Sequence, residues 1–232
     1  GYGSREILHG LSFTAKPGQT VAIVGPTGAG KTTIINLLLR FYEIQSGRIL
    51  LDGHDIRSLP REDLRRAFGM VLQDTWLFSG SLLENLRYGR PDAPLADVIS
   101  AAKGANVHDF ILSAGGYDAL VNEEGDNISQ GEKQLLTIAR AVRRDPPVLI
   151  LDEATSSVDT RLEKRLQGAM QKMMEGRTCL VIAHRLSTIR NADLILVLRD
   201  GRIVEQGKHD ELLKKDGAYA ALYNAQFQGK EI

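Results

Sequence analysis

The sequence predicts an α/β layered domain with a mainly parallel sheet and a helical segment inserted into it. Short apolar strand runs alternate with helical patterns early in the chain, and do so again after about residue 146. A glycine-rich turn joins one of these strands directly to a helix. Between Asp74 and about Asp145 the strand runs vanish and helical patterns dominate.

In chain order, residues 6–14 (EILHGLSFT) and 20–24 (TVAIV) read as strands around the turn Lys16-Pro17-Gly18-Gln19. The glycine-rich turn from Gly25 to Gly30 follows, then a helix through "KTTIINLLLRFY". "RILLDG" and "FGMVLQ" are further short strands. The inserted segment carries helices over "SLLENLRYG", "PLADVISAAKGA" and "QGEKQLLTIARAVRR", broken at Pro91, Pro94 and Gly115-Gly116. Strand character returns with "PVLILDE", "RTCLVIAH", "DLILVLRDG" and "RIVEQG". Between the first two, Leu162, Leu166, Ala169, Met170 and Met173 keep helical spacing, which reads as core packing. The expected organisation is a core of residues 1–73 and 146–232, with a helical subdomain over 74–145. There is no internal repeat.

At 232 residues, with 43% hydrophobic and 25% charged, the chain has an ordinary globular composition. Lys+Arg and Asp+Glu both number 29, which argues against a broad nucleic-acid surface. Arg65-Arg66 and Arg143-Arg144 read as solvated helix faces. Cys179 is the only cysteine, so no intrachain disulfide can form; its apolar flanks predict burial, and a reducing compartment fits. No apolar run approaches the roughly 18 residues of a membrane span. The abrupt opening "GYGSREIL" fits a piece of a longer chain.

"GPTGAGKT", Gly25 to Thr32, matches the phosphate-binding pattern G-x-x-x-x-G-K-[ST] in its strand–loop–helix setting. Glycines let such a loop aim N–H groups at phosphate oxygens, Lys31 supplies a charge to the outer phosphates, and Thr32 offers a hydroxyl to Mg²⁺. The strand "VLILDE" ends in two carboxylates that are costly to bury without a cation nearby. Asp152 suits the Mg²⁺-holding acid and Glu153 a base for the attacking water. No Asn-Lys-x-Asp pattern for guanine is present. The stretch between Gln73 and Ser129 is too short for the long coiled coil of a chromosome-organising ATPase. A second phosphate-type turn, "DNISQGEKQLL", starts a helix at Ser129 but has no lysine where a phosphate would want one.

Together these motifs resemble the nucleotide-binding domain of ATP-binding cassette (ABC) transporters of the exporter type, along nearly the whole chain. The resemblance implies a P-loop NTPase, RecA-like core with an antiparallel β subdomain and an inserted α-helical subdomain. It makes Gly25, Pro26, Thr27, Gly28, Ala29, Gly30, Lys31, Thr32 and Thr33 the ATP-binding loop. Ile128-Ser129-Gln130-Gly131-Glu132 corresponds to the family's signature, usually Leu-Ser-Gly-Gly-Gln, with Gln130 and Glu132 as departures. In this family two cassettes pack head to tail, so Ser129 and Gly131 would close on ATP held by the partner's P-loop.

The resemblance further implies that Gln73 senses Mg²⁺ and the attacking water, that Asp159 communicates across the dimer, and that His184 contacts the γ-phosphate. Tyr2 corresponds to the ring that stacks on adenine, and Glu123 or Glu124 to a loop acid that meets the transport domain. "DTWLFSGSLLENLRYG" and "IAHRLSTIRNADLILVLRDGRIVEQGKHDEL" mark the exporter subtype. His9, His54, His108 and His209 lack metal-ligand spacing and read as structural.

The expected function is an ATPase motor on the cytoplasmic side of a membrane, working with a second such domain and with a transmembrane domain. Binding nucleic acid and inserting directly into the bilayer are not expected. The alternative is a soluble, non-transport cassette ATPase, which usually carries two cassettes or a large insert. A regulatory module without turnover is disfavoured by the presence of both Glu153 and His184.

Overall fold

The computed structural model describes residues 6–72, 75–88, 90–122, 126–153 and 160–227, with backbone alone at 143, 144, 160, 161, 226 and 227. Tyr2, Gln73, Glu123, Glu124 and Asp159 lie outside the described residues. In chain order the elements are β1 (Thr20–Val24), α1 (Lys31–Leu38), β2 (Leu50–Leu51), β3 (His54–Asp55), α2 (Arg61–Arg66), β4 (Phe68–Val71), β5 (Gly80–Ser81) and α3 (Leu82–Arg87). Next come α4 (Leu95–Gly104), α5 (His108–Ser113), β6 (Leu120–Val121), α6 (Gln130–Arg144), β7 (Val148–Asp152), α7 (Thr160–Met174) and β8 (Thr178–Ile182). The last described elements are α8 (Leu186–Asn191), β9 (Leu194–Arg199), β10 (Arg202–Gly207), α9 (His209–Lys214) and α10 (Ala218–Phe227).

The main sheet has the strand order β10-β9-β1-β8-β7-β4. Both neighbours of β1 run parallel to it, with Val21 opposite Leu180 on one side and Leu194 on the other. Strands in such a sheet are buried on both faces, which is why they read as continuous apolar runs. Val21, Ala22, Ile23, Ile150, Leu151, Val181, Ile195 and Leu196 are all buried. β10 returns antiparallel on β9 through Asp200-Gly201, both at positive φ (48° and 71°), as a tight two-residue hairpin demands.

Chain proximity defines two compact units. One comprises Gly1–Phe68, Ile150–Thr155 and Arg177–Ile232; the other comprises Gly69–Leu149 and Ser156–Gly176. Within the second, α6 buries Leu135, Leu136, Ile138 and Ala139 and packs on α3, α4 and α7. The helical spacing of α7 is realised as core at Leu166, Ala169, Met170 and Met173, which are buried, while Leu162 is only half-buried.

Three expectations need correction. The strand over residues 6–14 does not form; Gly10 turns the backbone at φ 61°, and the segment is held by His9 N–H donating to Gly201 O at 2.9 Å. An apolar pattern without a neighbouring strand edge to pair with does not make a strand. The helix expected to run through Tyr42 stops at Leu38, because Arg40 (φ 51°) turns the chain. Its guanidinium is bound by the carbonyls of Ile56 at 2.9 Å and Leu59 at 2.8 Å. Finally, Arg66 sits on a solvated face beside Glu62, but Arg65 does not. Arg65 Nε donates to Leu39 O at 3.0 Å, and the guanidinium lies 4.7 Å from the Phe41 ring centre. Arg143 and Arg144 have no described side chains.

Candidate functional site

The glycine-rich turn leaves β1 at Val24 and enters α1 at Lys31. Gly25 is at φ 149°, and a Cβ there would stand 2.2 Å from the Leu198 carbonyl oxygen. Its glycine is therefore required by the protein's own packing. Gly28, at φ 81°, has nothing within 4 Å of its Cβ position, so its backbone faces open space that a ligand can approach. Pro26 and Thr27 are exposed, as is Thr32, while Thr33 is half-buried. Ala29 and Gly30 are buried beneath the turn. Ala29 O accepts from Gly201 N–H at 3.2 Å, so the β9–β10 hairpin tip braces the loop from behind.

Lys31 Nζ donates to Gly25 O at 2.7 Å and Pro26 O at 2.9 Å, folding the ammonium back over the turn. Burial pushes its pKa down, and the Asp152 carboxylate pulls it back up. The structure thus brings Lys31 and Asp152 into one electrostatic environment. Sheet order explains how. β1, β8 and β7 are neighbours, and the turn after β1, Glu153 after β7 and His184 after β8 all leave the same edge. Glu153 N–H donates to Ile182 O at 3.1 Å, and Ala183 N–H to Ile23 O at 3.2 Å, which registers the three strand ends. The carboxyl edge of such a sheet is where ligands of α/β proteins bind.

Glu153 is only 5% exposed. Its Oε2 accepts the backbone N–H groups of His184 and Arg185, both at 3.1 Å, and its Oε1 accepts the Thr188 hydroxyl. These donors offset the cost of burying the acid.

In the other compact unit, Ser129 caps α6 with a complete capping box. Ser129 Oγ donates to Glu132 Oε2 at 2.6 Å, and Glu132 N–H donates to Ser129 Oγ at 3.4 Å. Glu132 thereby has a local role, as the acid of the cap and as a negative charge in the helix's first turn. Gln130 Nε2 donates to Thr75 Oγ1 at 3.0 Å, two residues beyond Gln73. Ser129 is exposed and Gly131 buried.

An aromatic group lies on this unit: Trp76 and Phe78 are 5.9 Å apart and Tyr88 is within 6.2 Å of both, with Trp76 and Tyr88 each 60% exposed. It is held by the fully buried Asn85, whose side chain bonds both the N–H and the C=O of Phe78. Arg140 in α6 donates to Asn85 O at 2.6 Å and Trp76 O at 2.7 Å.

Sequence reasoning missed Thr188, Gly201, Asn85 and Arg140. Gly201 has the local signal of an Asp-Gly hairpin turn and Thr188 lies in a family-typical run, but neither signal names the partner, which lies far away in the chain. Asn85 had one, being a polar residue on the apolar side of a short helix with Leu82 and Leu86. The histidines are engaged in ordinary contacts, His209 Nδ1 with Tyr219 Oη at 2.7 Å and His108 Nδ1 with Tyr117 Oη at 2.9 Å. Among the described residues no cluster of His, Cys, Asp and Glu could hold a metal alone, and no helix is long and apolar enough to cross a membrane.

Comparison with known proteins agrees with this geometry. The ABC transporter family pattern matches residues 8–156. A fatty acid ABC transporter ATP-binding/permease protein of Mycobacterium bovis is 56% identical over 220 residues, 94% of this chain and 35% of that protein. An ATP-dependent lipid A-core flippase of Syntrophus aciditrophicus is 47% identical over 232 residues, the whole of this chain and 39% of that protein. A bacterial Atm1-family ABC exporter solved with ATP bound superposes with a TM-score of 0.90 at 50% identity, covering 98% of this chain and 40% of that one. The chain thus spans well under half the length of these relatives. A phosphate loop, an acidic strand end and a histidine turn at one sheet edge, matched over nearly the full chain, place the protein in the ABC transporter family, as its ATP-binding domain.

Proposed function

We propose that this domain is the ATP-hydrolysing motor of an exporter, closing head to tail with a second nucleotide-binding domain around two Mg-ATP. The partner is another copy or a related chain, and the work is delivered to a transmembrane domain from the cytoplasmic side. The observation that carries this reading is the convergence of Lys31, Asp152, Glu153 and His184 at adjacent strand ends. A further support is the exposed Ser129, whose capped helix start has phosphate-binding chemistry but no lysine at its first position. The exposed Trp76 and Tyr88, with the half-buried Phe78 between them, offer an apolar surface suited to the transport domain.

The donor set fits Mg²⁺. Thr32 supplies a hydroxyl and Asp152 a carboxylate, the hard oxygen ligands this ion takes together with substrate phosphates. When bound, the ion neutralises charge on the phosphates. The chain's own residues do the rest. Lys31 holds the outer phosphates and His184 orients the γ-phosphate. Glu153 takes a proton as water oxygen bonds to the γ-phosphorus and the bond to the ADP oxygen breaks.

Replacing Glu153 with Gln tests the assignment. The amide oxygen still accepts from His184 and Arg185, and the amide nitrogen can donate to the Thr188 oxygen, so the fold is retained. ATP binding should persist, phosphate release should fall at least about a hundredfold (~3 kcal/mol of barrier), and size exclusion in Mg-ATP should show a trapped dimer. Near-normal turnover would remove Glu153 from the role of base.

A further inference from the structure

We propose that Thr188 is a positioning residue for hydrolysis, its hydroxyl fixing the plane of the Glu153 carboxylate so that Oε1 is presented to the water. The inference rests on Glu153 being the base, as proposed above. A carboxylate this buried needs donors, and the structure supplies two kinds. On Oε2 they are the backbone N–H groups of His184 and Arg185, which hold the position of one oxygen. On Oε1 the donor is a side chain, the Thr188 hydroxyl.

The division matters because the terminal torsion of a glutamate is broad and has no deep staggered well. Anchoring Oε2 alone leaves the carboxylate plane free to rock. The Thr188 contact removes that freedom. Occupancy of Oε1 by one hydroxyl does not silence it, since each carboxylate oxygen has about two lone-pair directions. One accepts from Thr188 while the other can receive a proton from water. Thr188 also follows His184 by four positions, with Arg185 at the N-cap of α8 between them. Glu153 is therefore bonded at both oxygens to the segment that carries His184, and a shift of that segment moves both groups together.

The experiment compares Thr188→Val, which keeps the shape and removes the hydroxyl, with Thr188→Ser, which keeps the hydroxyl. Steady-state ATPase is measured on the full chain beside affinity for a fluorescent ATP analogue. Misplacing a base by a fraction of an ångström should lower kcat of Thr188→Val about tenfold, with KM and nucleotide affinity within about twofold of wild type. Thr188→Ser should recover at least about half of the wild-type kcat. Thr188→Ala replaces the valine variant if that one does not fold. Three results would overturn the proposal: an unchanged or raised kcat without the hydroxyl, a serine variant as slow as valine, or a loss confined to KM. Glu153→Gln is run in parallel. If it retains turnover, the base assignment has failed; if it is inactive while Thr188→Val is normal, only the role of Thr188 has.

Discussion

A side-chain carbon placed on Gly131 would stand 2.2 Å from Leu162 Cδ2 and 2.8 Å from its Cγ. A larger residue at this start of α6 would force the Leu162 side chain of α7 to shift, whatever the glycine does for a phosphate. Gly131→Ala should destabilise the protein by about 1–3 kcal/mol, the usual cost of overpacking. Leu162→Ala in the same chain should relieve most of that penalty, giving a coupling energy measurable by urea unfolding of the four variants. Additive single effects would mean that α7 does not set the glycine.

Asn85 and Arg140 make a second linked pair. Burial lowers the Arg140 pKa to about 10, so the guanidinium stays cationic at neutral pH, hydrogen-bonded to Asn85 and the Trp76 carbonyl. Asn85→Leu, with the same branching and number of heavy atoms, removes the Oδ1 acceptor of Arg140 and leaves the Phe78 N–H and C=O without their side-chain partner, while Arg140 keeps the carbonyls of Asn85 and Trp76. The loss should be about 1–3 kcal/mol, larger than for a surface polar residue. Trp76 fluorescence should change as the aromatic group loosens. A variant with wild-type unfolding and emission would refute the network's role.

Burial pushes the Cys179 thiol from 9.0 up to about 11, with smaller opposing effects from Arg177 and Thr20. In the window between, an unfolded chain gives up the proton and the folded chain keeps it. Unfolding therefore releases a proton there, and the thiol's contribution to stability, complete below about pH 9, is lost as pH rises towards 11. The stability difference between wild type and Cys179→Ala should fall by about 2–3 kcal/mol over that window. A flat difference would show that the thiol titrates normally.

Much of this was legible in the sequence, for identifiable reasons. β1, β7, β8 and β9 are buried on both faces, so each left a continuous apolar run. The turn at Gly25–Gly30 left a pattern because its end glycines, Lys31 and Thr32 fall at fixed spacing. What the sequence hid depends on partners distant in the chain. Residues 6–14 look strand-like, yet whether a strand forms depends on a free sheet edge, and here the chain meets Gly201 instead. The helix after Lys31 kept its apolar character past Leu38, and it was the Arg40 contacts with the carbonyls of 56 and 59 that ended it. Thr188 sits 35 positions from Glu153 with no motif joining them.

The last prediction concerns the second phosphate-type turn. If Ser129 works on nucleotide held by the partner, its damage must fall on the other subunit's site. A Ser129→Arg chain keeps its P-loop and spoils its α6 start; a Lys31→Ala chain does the reverse, losing the charge on the outer phosphates. Each homodimer should be nearly inactive. In a forced heterodimer, made by fusion, both defects fall on a single composite site. The other site then joins the intact P-loop of the Ser129→Arg chain to the intact turn of the Lys31→Ala chain. Phosphate release should exceed that of both parents if one site fires alone, and one tight nucleotide should bind per dimer. Were Ser129 to act within its own chain, each subunit would hold a damaged site and the heterodimer would bind none tightly. Counting nucleotides therefore decides between the two even where a single site cannot turn over, because binding across the interface needs only one good P-loop and one good facing turn.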